Sequence, residues 1–205
     1  RRQRQMCIRD REYPVTIMLS RDGYLKKMTD RVLKKATTLK YKDGDKPFIE
    51  FASSNTHELL VFTNKSQVYK CKVAAFEDTK SAQLGSYLPT DLEMEPDESV
   101  IWVIDPEDYK ADVLFVFENG RVVRVALAGY VTKTNRKRLK NAIYGGSKLL
   151  YAQVLKEDRD LALVSNDGRL MNFNTSLLKT KTTTNTQGVQ ALSLIHISEP
   201  TRLQL

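Results

Sequence analysis

The chain has 205 residues, of which 41% are hydrophobic and 28% are charged, and its formal net charge is +8. A chain of this size can bury a real core, and it contains no apolar run near the roughly 18 residues that a membrane-spanning helix needs. Two cysteines and two histidines, the latter far apart in sequence, supply neither a disulfide framework nor a four-ligand zinc site. The composition therefore indicates a folded protein that does not span a membrane and is not a metal enzyme.

The two ends of the chain differ from its interior. Residues 1–11 contain five arginines and no apolar periodicity, and residues 192–205, LSLIHISEPTRLQL, resemble the translation of sequencing-adapter DNA. We interpret both ends as foreign or disordered segments and assign the fold to residues 12–191. A basic nucleic-acid arm and part of a linker remain the alternatives for residues 1–11.

Four segments of the interior share the pattern of a strand, a tight turn and a second strand. The turns at residues 22–23 and 167–168 are Asp-Gly and the turn at 119–120 is Asn-Gly, pairs that tolerate the positive φ of hairpin turns. The second copy is weaker, with Lys-Ser at residues 65–66. The predicted hairpins cover residues 16–27, 59–72, 113–127 and 161–174.

The interval between the hairpins predicts the architecture. Their turn residues recur about every 43 to 54 positions, a period typical of propeller blades with four short strands. Apolar segments at 48–51, 100–104 and 149–155 are predicted as further strands, each an upstream partner of the hairpin that follows it. The fold class is therefore all-β and propeller-like, with about four four-stranded antiparallel blades.

The second strand of each hairpin alternates between two kinds of side chain. Counting from the turn residue, the third and fifth positions are apolar in most copies, and the fourth position carries Lys27, Lys70, Arg124 or Asn172. Because neighbouring strand residues face opposite sides, the apolar set is predicted to face the core and the cations to be exposed. Cys71, at a fifth position, is interpreted as a buried, inert thiol. The exposed cations either keep the strands soluble or contact a ligand.

Polar loops follow the hairpins, and three of them open with a Thr-Lys pair, at residues 79–80, 132–133 and 180–181. These loops are cationic or rich in hydroxyls and amides, a composition that suits contacts with phosphate oxygens. A solvated charged loop is the alternative for each. The candidate binding residues of the loops are Lys34, Lys35, Lys40, Lys42, Lys133, Asn135, Arg136, Lys137, Arg138, Lys140, Lys179 and Lys181.

Residues 12–191 resemble a known family, the C-terminal β-pinwheel domain of the A subunit of bacterial type IIA topoisomerases, DNA gyrase and topoisomerase IV. The segments that carry the resemblance are LSRDGYLKKM (19–28), ELLVFTNKSQVYKCKVAAF (58–76), LGSYLP (84–89), LFVFENGRVVRVAL (114–127), TKTNRKRLKNA (132–142), SNDGRLMNFNTS (165–176) and NTQGV (185–189).

The resemblance implies a disc that binds and bends or wraps duplex DNA around a basic rim, with the loop cations and Lys27, Lys70 and Arg124 as contacts. Family discs have five or six blades, so four hairpins imply a fragment. The Gln-Arg-Arg-Gly-Gly-Lys-Gly box of gyrase is absent, which favours a topoisomerase IV-like parent. The alternative function is a propeller that serves as a protein-interaction platform without DNA binding.

The resemblance also implies what this part of the protein lacks. The catalytic residues, ATP and Mg²⁺ belong to other parts of the parent enzyme, so the fragment is expected to be non-catalytic, with no cofactor. Its implied partners are duplex DNA, the catalytic N-terminal part of the same subunit and the ATPase B subunit in an A2B2 complex. The implied location is the bacterial cytoplasm, at the nucleoid.

Residues 81–109 form an acidic stretch with eight carboxylates and no lysine or arginine. Paired catalytic carboxylates or a divalent-ion site are one interpretation, but the glycine of an EF-hand loop is absent and prolines interrupt the stretch. A solvated connection between blades is the favoured interpretation. We hypothesise that it repels DNA from one side of the domain. The acids are Asp91, Glu93, Glu95, Asp97, Glu98, Asp105, Glu107 and Asp108.

Overall fold

A computed structural model of the chain describes residues 11–132, 136–165 and 168–191. Over these residues the chain divides into two compact units. The first unit runs to His57 and includes Lys72–Ser86, and the second comprises Glu58–Cys71 and the chain from Tyr87 onward. The end segments interpreted as foreign lie outside the described residues, apart from Arg11, and the extent of the domain, 12–191, stays a prediction.

The described residues contain fourteen strands, two short α-helices and three single-turn 3-10 helices, which confirms the all-β prediction. None of the described helices is long and apolar enough to cross a membrane. The α-helices are α1 (Asp30–Lys35) and α2 (Leu88–Asp91). The strands are β1 (Pro14–Ser20), β2 (Tyr24–Thr29), β3 (Pro47–Ser54), β4 (Glu58–Thr63), β5 (Val68–Lys72), β6 (Ser86–Tyr87), β7 (Val100–Ile104), β8 (Asp112–Phe117), β9 (Arg121–Ala126), β10 (Arg138–Leu139), β11 (Leu149–Leu155), β12 (Asp160–Val164), β13 (Leu170–Asn174) and β14 (Val189–Gln190).

The four predicted hairpins are all present, as β1–β2, β4–β5, β8–β9 and β12–β13. Their turn residues Gly23, Ser66, Gly120 and Gly168 have φ of 89°, 58°, 77° and 81°. The turn chemistry therefore predicted the backbone conformation correctly, even in the weak second copy, where a serine occupies the left-handed region.

Three of the four hairpins are extended by strands from further along the chain. Sheet A has the order β3-β1-β2-β6, sheet B β10-β5-β4-β7 and sheet C β11-β8-β9-β14. Sheet D has two strands, β12 and β13, among the described residues. The prediction of four four-stranded blades thus holds for three sheets, and the described part of the fourth is a hairpin.

One detail of the predicted pairing was wrong. The strands between hairpins are not upstream partners of the next hairpin, because β3, β7 and β11 each pair antiparallel with the first strand of the hairpin that precedes them. Ile17 lies opposite Phe51, Val61 opposite Val103 and Phe115 opposite Ala152. Consecutive chain segments usually pair with the element just formed, and apolar alternation does not reveal this choice.

Apolar side chains form the core of each unit. In the first unit Ile17, Leu25 and Met28 are almost fully buried. In the second unit one cluster joins sheets B and C, with Phe62 and Phe115 in edge-to-face contact at 5.3 Å. Another cluster joins sheets C and D through side chains such as Leu114, Leu150 and Leu163. The second unit is therefore a series of face-to-face packed sheets, B on C on D.

Candidate nucleic-acid interface

The polar loops occupy equivalent places on sheets A, B and C. Each loop follows one hairpin and returns to the second strand of the hairpin before it. There the loop ends as the outer strand of that sheet, which is β6, β10 or β14. The amide of Thr79 donates to the carbonyl of Lys27 at 2.7 Å, and the amide of Lys181 donates to the carbonyl of Arg124 at 2.8 Å. On sheet B the amide of Lys70 donates to the carbonyl of Lys137 at 2.7 Å. The loop repeat seen in the sequence is therefore a repeat in space.

Most candidate loop cations point into solvent. Among the described residues, the exposed ones make no ion pair with a carboxylate except Lys42, whose ammonium lies 3.9 Å from Asp22. Lys133 and Asn135 lie outside the described residues. The exposed cations are Lys34, Lys35, Lys40, Lys42, Arg136, Lys137, Lys140 and Lys179, and Lys181 is half-buried.

The densest basic run lies on the outer strand of sheet B. Strand β10 pairs Arg138 with Tyr69, so the run is fixed to β5 at this point. Arg136, Lys137 and Lys140 flank the strand and are exposed, whereas Arg138 is half-buried and lies 3.6 Å from a carboxylate oxygen of Glu95. The structure thus brings together three free cations and one already paired.

In the first unit two loops with basic residues meet. The amide of Lys40 donates to the carbonyl of Ser81 at 2.9 Å, which joins the loop after the first hairpin to the loop after the second. Gly85 allows the loop after the second hairpin to approach β2 closely, because a Cβ there would lie 2.2 Å from the carbonyl oxygen of Leu25. Lys40 and the exposed Lys80 therefore belong to adjoining loops.

The prediction that the fourth-position strand cations are exposed was wrong. Lys27 is only 4% exposed; its ammonium lies 3.0 Å from Asp78 and donates to the carbonyl of Phe76 at 3.1 Å. Burial alone opposes the charge, but the contacts with Asp78 and Tyr13 outweigh it and raise the pKa of Lys27.

The other two strand cations have internal partners as well. The ammonium of Lys70 lies 3.2 Å from Glu58, with 10% of its side chain exposed. Arg124 donates to Asp112 and Asp158, both at 2.6 Å. These side chains face away from the apolar core, but they are hidden because the returning loop covers that face of the sheet. The three strand cations are therefore structural ion pairs, and we do not retain them as ligand contacts.

Sequence reasoning missed the carboxylates of these pairs. Glu58 and Asp112 lie eight positions before the turn residues Ser66 and Gly120, and Asp160 holds the same place before Gly168. In that copy the fourth-position cation is Asn172, and Asp160 accepts from Asn174 instead. An acid repeated in step with the turns is therefore the signal for Glu58 and Asp112, whereas Asp78, the partner of Lys27, has no such signal because residue 15 of the first copy is valine.

The threonines of the Thr-Lys pairs belong to the same networks. The hydroxyl of Thr180 donates to Asp112 at 2.8 Å, and the ammonium of Lys70 donates to Thr132 at 3.4 Å. The hydroxyl of Thr79 accepts from the amide of Lys27 at 3.2 Å. The threonine of each pair thus anchors the loop to a strand cation residue or to its carboxylate partner.

Other chemistry finds little support in the described residues. They contain no group of three or more His, Cys, Asp or Glu side chains that could hold a metal ion. Cys71 is buried, and burial followed by the proximity of Glu58 raises the pKa of its thiol to about 12. The interpretation of Cys71 as a buried apolar residue is confirmed, and its thiol is protonated at neutral pH.

The acidic stretch is anchored rather than freely solvated. Glu98 is 5% exposed, and Tyr69 donates to its carboxylate at 2.8 Å. Lys65 forms ion pairs with Glu95 and Asp97. The prediction of a solvated connection was therefore wrong for this part of the stretch, because one carboxylate is buried against β4 and β5.

Comparison with known proteins gives a consistent relationship. No protein-family model matches the chain. The chain is 26% identical over 186 residues to the A subunit of DNA topoisomerase 4 from Staphylococcus aureus, a match that spans 88% of this chain and 23% of the relative. The chain therefore corresponds to about a quarter of the length of that relative.

Solved structures show the same fold. The crystal structure of the C-terminal domain of DNA topoisomerase IV superposes with a TM-score of 0.74 at 23% identity, over 92% of this chain and 61% of the other. The E. coli ParC C-terminal domain gives 0.67 at 18% identity over 88% and 72%, and the DNA gyrase A C-terminal domain gives 0.61 at 18% over 91% and 64%. The predicted resemblance is confirmed: the chain is similar in sequence to the topoisomerase IV A subunit and has the β-pinwheel fold of these C-terminal domains.

Proposed function

We propose that this chain binds duplex DNA through the exposed cations of its polar loops, as a C-terminal domain of a type IIA topoisomerase A subunit. The observation that carries the proposal is the equivalent placement of loops on sheets A, B and C, each returning to the previous hairpin. Apart from Lys42, the exposed loop cations have no carboxylate partner among the described residues, whereas the strand cations are already paired.

Binding through such cations depends on phosphate charge. Each lysine or arginine that neutralises a phosphate releases condensed counterions, so affinity falls steeply with salt and varies little with DNA sequence. The loops are fixed to the sheets by backbone hydrogen bonds and by the threonine networks, so the backbone positions that carry the cations are set before DNA arrives. In the parent enzyme we propose that this contact bends or wraps the DNA segment.

The similarity supports further proposals about the parent protein. The missing Gln-Arg-Arg-Gly-Gly-Lys-Gly string favours a topoisomerase IV-like enzyme over a gyrase-like one. We propose that this part is non-catalytic, with ATP and Mg²⁺ used elsewhere in the enzyme, and that its partners are the N-terminal part of the same polypeptide and the B subunit. The proposed location is the bacterial cytoplasm.

Charge reversal on the densest basic run tests the proposal. In the full chain, the triple variant R136E, K137E and K140E is expected to weaken binding of a labelled 20-base-pair duplex by at least about tenfold at 100 mM salt. The slope of log K against log salt is expected to become shallower by about 0.9 for each phosphate that is no longer neutralised. Fluorescence anisotropy across a salt series measures both quantities.

A matched variant separates a local site from net charge. K110E, K156E and R159E make the same change in charge at exposed positions outside the loops. Equal weakening by both triple variants contradicts the loop assignment. Absence of duplex binding by the folded wild-type chain at 50 mM salt contradicts the function itself and favours the protein-interaction platform.

A further inference from the structure

The strongest unexplained feature of the second unit is residues 95–98, here called the anchored acidic segment, which lie against the turn of the second hairpin and the basic strand β10. We propose that Glu95 in this segment is a built-in counter-ion for Arg138, which DNA must displace to use that arginine. The inference rests on the proposed DNA binding and adds a residue that sets its strength.

The segment is held in place by a buried carboxylate. Glu98 accepts hydrogen bonds from the hydroxyls of Thr63 on β4 and Tyr69 on β5. The same carboxylate accepts from the amide of Glu95 at 3.3 Å, and the amide of Glu98 donates to the carbonyl of Glu95 at 2.9 Å. Burying a carboxylate costs free energy unless it is hydrogen-bonded in this way. These contacts therefore fix the backbone position of Glu95.

A second set of contacts joins the segment to the hairpin turn. The amide of Asn64 donates to the carbonyl of Ser99 at 3.1 Å, and its side-chain oxygen accepts from the amide of Ser99 at 3.0 Å. The side-chain nitrogen of Asn64 donates to the carbonyl of Asp97 at 3.2 Å. The segment is thus held by both of its ends, and its acidic side chains project from a fixed backbone.

Glu95 then lies between two cations. One carboxylate oxygen is 3.1 Å from the ammonium of Lys65, and the other is 3.6 Å from the guanidinium of Arg138. Asp97 completes the neutralisation of Lys65. Within the described part of the basic run, Arg138 therefore has a carboxylate partner. Its exposed neighbours Lys137 and Lys140 have none among the described residues.

The chemistry of the pair makes it displaceable. A guanidinium binds carboxylate and phosphate oxygens in the same forked geometry, so a DNA phosphate competes directly with Glu95. The side chains of Arg138 and Glu95 are 36% and 44% exposed, and ion pairs this accessible are weak. Displacement therefore costs little, and Glu95 tunes affinity without blocking it.

Neutralising this carboxylate tests the inference in the full chain. Glu95→Gln keeps the size of the side chain and the backbone contacts, and it is expected to tighten duplex binding by about three- to tenfold at 100 mM salt. The matched control is Glu93→Gln, an equal charge change at an exposed position outside the segment, with an expected effect of less than about twofold.

A double-mutant cycle ties the effect to Arg138. In the Arg138→Gln background, Glu95→Gln is expected to give no gain in affinity, because the competing pair no longer exists. If the wild type binds DNA, three results overturn this inference and leave the proposed function intact. They are an unchanged affinity of E95Q, equal gains in E95Q and E93Q, and an undiminished gain in the R138Q background. Absence of binding by both the wild type and E95Q overturns both, whereas binding by E95Q alone supports the counter-ion.

Discussion

The strand cations and the loop cations of this chain differ in environment although a short stretch of sequence separates them. Lys27, Lys70 and Arg124 sit on regular strands and are hidden with carboxylates, whereas Lys35, Arg136 and their loop neighbours stand in solvent. The difference arises because the returning loops cover the outer face of the second strands and become the new surface themselves. A cation on an alternating strand is therefore not exposed merely because it faces away from the apolar core.

The largest expected effect on stability comes from the best-connected strand cation. Arg124→Ala is expected to lower the free energy of unfolding by about 2 kcal/mol, because Asp112, 17% exposed, loses its cation. The substitution also removes the bond to Asp158. Urea denaturation followed by circular dichroism measures the change. The loop variant Arg136→Ala is the control and is expected to stay within about 0.5 kcal/mol of wild type. Equal effects of the two substitutions contradict the distinction between strand and loop.

Two adjacent lysines sharpen the comparison within one strand. Lys27→Met is expected to cost about 1–2 kcal/mol, because Asp78 and the carbonyl of Phe76 lose their donor. Lys26 is 1% exposed and donates to the carbonyl of Gln83, and burial lowers its pKa. Lys26→Met is therefore expected to change stability by less than about 1 kcal/mol, since it removes a poorly compensated charge.

Alkaline pH is expected to change the stability contributions of these two lysines in opposite directions. The raised pKa of Lys27 means that its contribution is present below 10.5 and is lost only as pH rises through the higher folded value. The lowered pKa of Lys26 means that its penalty at neutral pH disappears as pH rises toward 10.5. Urea midpoints of both variants are measured at neutral pH and near pH 10. The stability of K26M relative to wild type is expected to fall between these pH values, whereas the loss of stability in K27M is expected to persist. A K27M defect that vanishes by pH 10 refutes the ion-pair account.

A smaller loss of stability than that of Lys27→Met is expected for a carboxylate that fixes a cationic loop. Asp45 accepts from the amides of Asp22 at 3.0 Å and Lys46 at 2.8 Å, which ties the loop bearing Lys40 and Lys42 to the first hairpin turn. Burial by itself opposes ionisation, but the donated hydrogen bonds outweigh it and lower the pKa of Asp45. Asp45→Ala is expected to cost about 1 kcal/mol at neutral pH.

The pH dependence of this variant has a definite sign. Because the folded pKa of Asp45 lies below 3.8, its contribution is present above that value and is lost as pH falls through the folded pKa. The deficit of D45A relative to wild type is therefore expected to narrow near pH 3 in urea denaturation. Asp43→Ala, at an exposed neighbouring position, is the control with no expected deficit. A deficit that is constant across this range contradicts the role of the ionised carboxylate.

The hairpins were predictable because their signals are local. Asp22-Gly23 and Asn119-Gly120 specify a tight turn through residues that accept positive φ, and alternation around them gives the strand faces. The pairing of β3, β7 and β11 was predicted with the wrong hairpin. The apolar pattern of such a strand is compatible with the hairpin before it and with the hairpin after it. Most of the described loop cations are exposed, although Arg138 and Lys181 are half-buried. The predicted exposure of Lys27 was wrong, because its cover comes from residues about fifty positions away.

By itself, the sequence determined four turn-centred hairpins, their repeat, the inert Cys71 and the resemblance to the C-terminal domains of topoisomerase A subunits. Only the tertiary structure decided that each polar loop closes the preceding sheet, that Lys27, Lys70 and Arg124 are internally paired, and that Glu98 anchors an acidic segment beside Arg138. The physical reason is range: φ preferences and side-chain alternation act between neighbours, whereas the burial of a charge depends on which distant segment is folded against it.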